Sequence, residues 1–518
     1  MPSQRRYLVS PGFHRMRLLQ HARQRRAPGY HGTEGRVPGV LGMLTLASIL
    51  SACSVGPNYV EPTASVPAAF KERKGWHIAA PKDGIDRGAW WRVFKDPTLD
   101  ELMAQVEVSN QNVAVAAAAY QQAVALIREA QAGLFPTVTN SYTGTGSHSG
   151  SAVGGGGIAT TTVTYNPVAN ATWTIDVWGR IRRSIESNSA SAQVSAADLA
   201  NAKLSAQAAL ATAYYNLRAT DSAKILFDRT SADFQRTLEI TQNQYNSGTV
   251  SRADVASAQA QLSSVQAQSI NTGVARAQFE HAIAVLIGRP PADLSIKVAP
   301  LATRVPIAPP GVPSALLERR PDIAAAERQM QTTSALIGVA VANFYPDISL
   351  NGSFGFLGPH ALPIAAANEV WTLAGSATQT IFDGGLLSAQ LEAAKATYEQ
   401  SVANYRQVVL TAFEQVEDNL AALRVLAATL KKEEEAVKAA REAVVVDLNQ
   451  YRTGTVAFTV VLTAQTVQLT NEEALLTVRQ NQFLAAVSLI EALGGGWDKS
   501  ELPNLESLEK VPTITPPL

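Results

Sequence analysis

The chain has 518 residues, a length that allows about three globular domains, and it carries 43 Lys and Arg residues against 43 Asp and Glu residues. The charge is unevenly distributed, because residues 1–52 hold a net charge of +7 and the rest of the chain therefore sums to −7. A mildly acidic body argues against nucleic-acid binding, which needs a basic surface. The single cysteine excludes an internal disulfide framework and a cysteine zinc cluster.

Residues 1–52 have the pattern of an export signal. Arginines precede an uncharged apolar stretch, residues 37–52, that is shorter than the about 20 residues of a membrane span. The stretch ends in Leu50-Ser51-Ala52-Cys53, which resembles the lipobox of bacterial lipoproteins. We therefore predict a lipoprotein signal peptide over residues 1–52 and acylation of Cys53, since two or more acyl chains give stable anchoring. Ser54, in place of Asp, favours delivery to the outer membrane.

After this signal, the sequence has no other apolar run of about 18 residues, so we expect no transmembrane helix in the mature chain. If the body also crosses a membrane, only β-strands remain for the purpose.

The body is a tandem duplication. The segment Tyr245-Asn246-Ser247-Gly248-Thr249-Val250 recurs as Tyr451-Arg452-Thr453-Gly454-Thr455-Val456 at an offset of 206, and Leu134-Phe135-Pro136 matches Phe344-Tyr345-Pro346 at an offset of 210. We assign five regions from these landmarks: an N-terminal lipid-anchored extension and equatorial segment (53–99), a first repeat (100–299), a Pro-rich linker (300–313), a second repeat (314–497) and a C-terminal tail (498–518).

Each repeat has one very long helical pattern followed by a shorter one. Residues 180–243 and 386–450 are free of proline and end near a glycine turn, and at 1.5 Å per residue each helix is of the order of 95 Å long. Shorter helices are expected over 251–287 and 457–493. Such lengths exceed those of ordinary globular helices and favour coiled-coil-like packing.

Between the helical stretches the apolar residues alternate with polar ones. The pattern predicts strands over 160–177, 347–356 and 371–381, and a weaker one over 136–146. Strands of about ten residues suit a tilted transmembrane strand, although a half-buried soluble sheet shows the same alternation. Four strands cannot close a barrel and open edges are not tolerated in lipid, so a membrane sheet must be shared between chains. Twelve strands from three chains and eight from two both satisfy this rule.

Several motifs resemble those of the outer-membrane factor family, the TolC-like and OprM-like exit ducts of bacterial efflux pumps. The resemblance covers nearly all of the mature chain. The residues that carry it are the start Cys53-Ser54-Val55-Gly56-Pro57-Asn58-Tyr59, similar to the lipoprotein branch called the NodT group, the segment Trp90-Trp91-Arg92-Val93-Phe94, the motif Glu318-Arg319-Arg320-Pro321-Asp322-Ile323, and the two Tyr-x-x-Gly-Thr-Val turns.

The resemblance implies a mostly α protein with membrane β-strands. Three copies would give four strands each to one outer-membrane β-barrel, continued by a long periplasmic α-helical barrel. It implies a passive exit duct for drugs or other small molecules, working with a periplasmic adaptor and an inner-membrane pump. No enzymatic activity, cofactor, metal or nucleic-acid partner is implied.

The resemblance also implies a gate and adaptor contacts near the glycine turns. In related ducts an aspartate after the first turn meets a tyrosine before the second, and these positions are Asp254 and Tyr451 here. An alternative is that Asp254 only occupies the first turn of a helix, where an acid suits the helix dipole. Positions that carry paired acids and an arginine in some relatives are Val460, Thr463 and Val456, so Arg252 is considered as another holder of the closed state. Adaptor-facing tips are expected at Gly248, Thr249, Gly454 and Thr455.

Three other functions stay open on sequence alone. The chain could be a lipid-anchored coiled-coil scaffold without a pore, although a scaffold needs neither alternating strands nor a duplication. It could serve type I protein secretion rather than drug efflux. An envelope hydrolase has little support, because the histidines are scattered; Glu414, Glu417 and Asp418 lie on one long helix and predict a solvated or tunnel-lining face.

Overall fold

The computed structural model describes residues 54–63, 66–72, 89–150, 159–306 and 316–510. Within these residues the chain is mainly helical, with one four-stranded antiparallel sheet. The signal peptide (1–52), Cys53, the end of the linker from residue 307 and the tail beyond residue 510 lie outside the described residues. None of the helices in the described part is long and apolar enough to span a membrane.

The elements follow the same order in both repeats. The first repeat contains α1 (Pro97–Ser109), α2 (Gln111–Ala132), β1 (Thr137–Ser149), β2 (Thr160–Ile175), α3 (Arg180–Asn246) and α4 (Arg252–Leu286). The second contains a helical turn (Leu316–Arg319) followed by α5 (Pro321–Ala342), β3 (Asp347–Phe356), β4 (Glu369–Thr378), α6 (Leu386–Arg452) and α7 (Phe458–Ala492). A 3-10 helix, Trp90–Phe94, precedes α1.

The paired helices have equal lengths. Both α3 and α6 contain 67 residues, both α4 and α7 contain 35, and both α2 and α5 contain 22. The predicted helices are therefore present, and the two long ones extend two or three residues past the predicted ends. The fold class, long helices joined to a small antiparallel sheet, is confirmed.

The sheet has the order β1-β2-β3-β4, and every neighbouring pair is antiparallel. The pairing of β2 with β3 joins the two repeats, with Trp173 opposite Leu350 and Ile175 opposite Ile348. Within the sheet, β1 pairs only with β2 and β4 only with β3, so each presents one unpaired edge. The weakly predicted first strand is the longer of these two edge strands, with 13 residues.

The core lies where the two helical hairpins, α3–α4 and α6–α7, pack against the segments that precede them in the chain. Trp90, almost fully buried, donates its indole N–H to Gln207 of α3 over 2.9 Å, so the tryptophan motif anchors the equatorial segment to the long helix. On the second repeat Phe70 is buried among Tyr405 and Phe413.

The carboxylate of Glu417 accepts hydrogen bonds from the backbone N–H groups of Lys71 and Glu72, at 2.6 and 2.8 Å. The sequence prediction of a solvated or tunnel-lining face did not foresee this contact of Glu417. Its carboxylate holds the N-terminal extension on α6.

Candidate functional site

The strand register sorts the sheet into one apolar and one polar face. Residues that pair side by side across antiparallel strands point to the same face. One face therefore carries the large apolar side chains of β2, β3 and β4, and the other carries Thr, Ser and Asn; the apolar set is Trp173, Leu350, Phe354, Trp371 and Leu373.

These apolar side chains are exposed to the surroundings of the single chain. Trp371 is 70% exposed, Leu373 77% and Phe354 51%. Exposed apolar faces of this kind mark contact with protein or membrane. Because the polar face is exposed as well, the sheet has the two-sided pattern of a barrel wall with lipid outside and water inside.

Aromatic residues collect where the strands join the helices. The rings of Trp178 and Tyr345 stack with centroids 4.8 Å apart, and the indole N–H of Trp178 donates to the carbonyl of Pro346. Phe135, Phe344 and Phe382 are exposed at the same end of the strands. Amphipathic aromatic side chains prefer the headgroup level of a bilayer. This group of residues, the aromatic cluster, therefore fits a membrane interface.

The opposite end of the long helices carries two turns with nearly the same geometry. Gly248 and Gly454 have φ values of +75° and +76°, which only glycine adopts readily, and no other atom would touch a β-carbon at either position. The hydroxyls of Thr249 and Thr455 each donate back to a helix carbonyl, at 2.8 and 3.0 Å. All four predicted adaptor-facing residues are exposed, and their partners lie within their own turns.

Asp254 lies in the first turn of α4, as the alternative interpretation of this residue expected. Its carboxylate accepts hydrogen bonds from the backbone N–H and the hydroxyl of Ser251, at 2.9 and 2.8 Å, and the Ser251 hydroxyl in turn accepts the N–H of Asp254. This is a capping box, and the Ser-x-x-Asp pattern that signals it was available in the sequence. Its place at the mouth of the helical hairpins still allows a second, electrostatic role.

Tyr451 is buried rather than presented at the surface. The ring is 2% exposed and packs against Phe458, and the hydroxyl donates to Thr241 of α3 over 3.3 Å. Burial raises the pKa of Tyr451, and the negative charge of Asp254 adds to that rise. The two predicted gate residues therefore lie at the same end of the chain, but within one chain each bonds to a different partner.

Sequence reasoning missed the polar pairs that join the two hairpins within the chain. Gln465 of α7 donates to Thr237 of α3 over 2.8 Å in a buried contact, and Gln480 donates to Asn216 over 2.7 Å. Each pair joins residues more than 220 positions apart, and no local pattern announces such contacts. Among the residues that the structure describes, no cluster of three or more His, Cys, Asp or Glu side chains is placed to hold a metal ion.

The residues after Cys53 are fixed at the junction of sheet and helices. The backbone N–H of Val55 donates to the carbonyl of Trp178 over 3.1 Å. Arg183, buried at the start of α3, donates to the carbonyl of Val55 and to the side chain of Asn58, at 3.3 and 2.9 Å. Val55 is therefore held beside Trp178, at the aromatic end of the strands.

The model of the family described as outer membrane efflux protein matches the chain twice, over residues 102–289 and 312–495. The chain belongs to the outer membrane efflux protein family. It is 30% identical over 472 residues to the toluene efflux pump outer membrane protein TtgC of Pseudomonas putida, covering 88% of this chain and 96% of that protein. It is also 30% identical over 470 residues to nodulation protein T of Rhizobium leguminosarum bv. viciae, covering 88% and 93%. The solved outer-membrane channel OprN has 29% identity and a TM-score of 0.79, over 86% of this chain and 100% of that one.

Membership of this family confirms the resemblance, including its NodT branch, and the efflux-channel function at the level of class. Outer membrane efflux proteins are passive channels, and the amphipathic sheet and long hairpins described above are the parts from which such a channel is built. The cargo named for TtgC belongs to that relative.

Proposed function

We propose that three copies of this outer membrane efflux protein form the passive exit duct of a tripartite efflux system. Each copy contributes its four strands to a twelve-stranded barrel and its helices to a periplasmic tunnel. A periplasmic adaptor and an inner-membrane pump supply contact and energy, and drugs or other small molecules are the cargo. The chain has no enzymatic role, needs no cofactor and binds no nucleic acid.

The observation that carries this proposal is the four-stranded sheet with unpaired edges at β1 and β4 and one exposed apolar face. An open edge has no hydrogen-bond partner in lipid, so it must pair with another strand. Pairing β1 of one copy with β4 of the next removes every edge once the ring closes. Three copies give twelve strands, above the minimum of eight that a transmembrane barrel needs.

Single-channel conductance in planar bilayers tests the duct directly. We expect a small current from the unaltered protein and a larger one from Asp254→Ala, because the substitution removes the carboxylate that the family resemblance assigns to the gate. Native mass measurement of the same sample must give three chains. If neither the unaltered protein nor Asp254→Ala conducts, although both are inserted and trimeric, the result would instead support a scaffold without a pore.

The proposal includes lipid anchoring through Cys53 and residence in the outer membrane with the helices in the periplasm. Its support is the hydrogen bond from the backbone of Val55, two residues after Cys53 in the sequence, to Trp178 in the aromatic cluster. Labelled fatty acid should be incorporated into the unaltered protein and not into Cys53→Ala. A label that persists in the variant would refute the anchor.

Adaptor contact is assigned to the exposed turns at Gly248, Thr249, Gly454 and Thr455. A photocrosslinking amino acid at Thr249 or Thr455 should link the chain to the adaptor in cells that express both. The same group at Thr143, on the polar face of β1, is the control and should give no such product. Equal yields at all three positions would remove the turns from the proposal.

A further inference from the structure

The two hairpins of one chain meet along a seam that repeats down the long helices. Three polar pairs mark it: Asn216 with Gln480 at 2.7 Å, Thr237 with Gln465 at 2.8 Å, and Thr241 with Tyr451 at 3.3 Å. In each pair the first residue belongs to α3 and the second to α6 or α7. The seam therefore joins the first-repeat hairpin to the second-repeat hairpin.

Shifting each residue by 206 positions, the offset between the repeats, gives the equivalent pairs of a second seam. Within a single chain this second seam has no partner helix. Residues on α3 correspond to residues on α6, and residues on α6 and α7 correspond to residues at the end of α3 and on α4. The three transferred pairs are Ala422 with Val274, Ala443 with Gln259, and Asp447 with Tyr245. Tyr245 is 41% exposed, whereas its counterpart Tyr451 is 2% exposed, so the second seam lacks its partner in a single chain.

The faces of α4 and α6 leave apolar side chains exposed in the single chain. Val274 is 58% exposed on α4, and Leu410 and Val425 are 56% and 52% exposed on α6. The counterparts of the two α6 residues are Leu204 and Ala219, which are buried at 7% and 3%. Apolar positions that the duplication buries in one seam are thus left open in the other, and only a second copy offers the matching helix.

We propose that α4 and the end of α3 in one copy pack on α6 of the next copy, and that the Tyr245 hydroxyl donates a hydrogen bond to the carboxylate of Asp447 across that seam. The inference rests on the shared duct proposed above and adds the residues that close it at the periplasmic end. The seams alternate around the ring. The seam within each chain has three polar pairs, and the seam between chains has an apolar pair, a mixed pair of Ala443 and Gln259, and the Tyr245–Asp447 pair at its tip.

The chemistry of the transferred pair favours a stronger contact than the one it copies. The 3.3 Å between the Tyr451 and Thr241 oxygens is long for a hydroxyl pair. An aspartate carboxylate reaches one bond further than a threonine hydroxyl and carries charge, and charge-assisted hydrogen bonds are shorter and stronger. Arg252 stands at the position of Phe458, which packs on the Tyr451 ring, and so gives Asp447 a cationic neighbour as well.

Paired cysteines and a short bismaleimide test the seam in membranes that contain the full chain. The native thiol, Cys53, is the proposed acylation site and precedes both repeats. Tyr245→Cys with Asp447→Cys should give linked dimers and trimers on denaturing gels, and Val274→Cys with Ala422→Cys should do the same higher in the seam. Thr241→Cys with Tyr451→Cys is the matched control and should be bridged within one chain, with no increase in mass.

The outcomes separate this inference from the proposed duct. If the Val274–Ala422 pair links chains and the Tyr245–Asp447 pair does not, the tip contact is wrong and the shared duct stands. If the protein is a single chain by native mass, the proposed duct fails first. Should the cysteine variants not assemble, Tyr245→Phe and Asp447→Asn provide a second test: each should lower the temperature at which the trimer dissociates, and the double variant should lower it no further. Additive losses would overturn the contact.

Discussion

Gly494, at the end of α7, lies directly against the carbonyl oxygen of Arg319, so that a β-carbon added to the glycine would overlap that oxygen. The first repeat contains the same relationship between Gly288 and the carbonyl of Ser109. Both glycines also have positive φ values, +90° and +69°. The duplication therefore preserves a backbone-to-backbone contact that fastens the end of each hairpin to the beginning of the same repeat.

Gly494→Ala and Gly288→Ala should each destabilise the protein strongly, because the backbone must move to admit a methyl group. Gly248→Ala is the matched control, since its φ of +75° is similar and no atom lies within 4 Å of the added carbon. The control should lose only the roughly 1–2 kcal/mol of a left-handed alanine. The other two should lose about 3 kcal/mol more, as overpacked sites do, in a denaturation measurement in detergent. Equal losses in all three would show that the contact relaxes freely.

Asp254 is expected to act through its charge and not only through its capping box. Asp254→Asn keeps an acceptor for Ser251 but removes the charge, and should raise single-channel conductance. Ser251→Ala keeps the charge and removes the capping hydroxyl, and should cost about 1 kcal/mol of stability without a change in current. A rise in conductance for Ser251→Ala alone would assign the closed state to the cap.

Two substitutions of Tyr451 distinguish the packing of its ring from a gating role of its hydroxyl. Tyr451→Phe loses a single long hydrogen bond to Thr241, so stability should fall by less than about 1 kcal/mol and the current should stay near that of the unaltered protein. Tyr451→Ala removes a buried ring and should cost roughly 3–5 kcal/mol. If Tyr451→Phe opens the channel as Asp254→Asn does, the hydroxyl is the latch that the family resemblance implied.

Glu473 provides a pH test. It lines a cavity of about 470 Å³ between α3, α4 and α7, and burial raises its pKa. The folded state then holds a proton that the unfolded state has released, so stability falls as the pH rises from the ordinary carboxyl range through the raised pKa. Glu473→Gln should therefore be more stable than the unaltered protein at neutral pH and equal to it at low pH, by thermal unfolding.

The adjacent carboxylate is the control for that test. Glu472 is buried and pairs with Arg441 at 2.6 Å, so Glu472→Gln should destabilise the protein at neutral pH. A gain in both variants would mean that the acidic stretch, rather than the burial of Glu473, sets the effect.

The long helices were predictable because their signals are local. A proline-free stretch with a glycine turn at its end located α6 to within two residues, and alternation located β3 without error. The role of Thr241 was not predictable, since its contact with Tyr451 depends on the register of helices 210 residues apart. The contact of Glu417 was missed for the same reason: its partners, the backbone N–H groups of Lys71 and Glu72, lie 346 and 345 residues earlier and carry no side-chain pattern.

The equal lengths of α3 and α6, and of α4 and α7, have a consequence for how this protein changes over time. A helix grows by 1.5 Å per residue, so one added turn in a single hairpin would carry its tip roughly 5.4 Å beyond the other. A mismatched pair of tips would present a stepped end to any protein that docks there. We therefore expect an insertion in one hairpin to be tolerated only together with an insertion of the same length in the other.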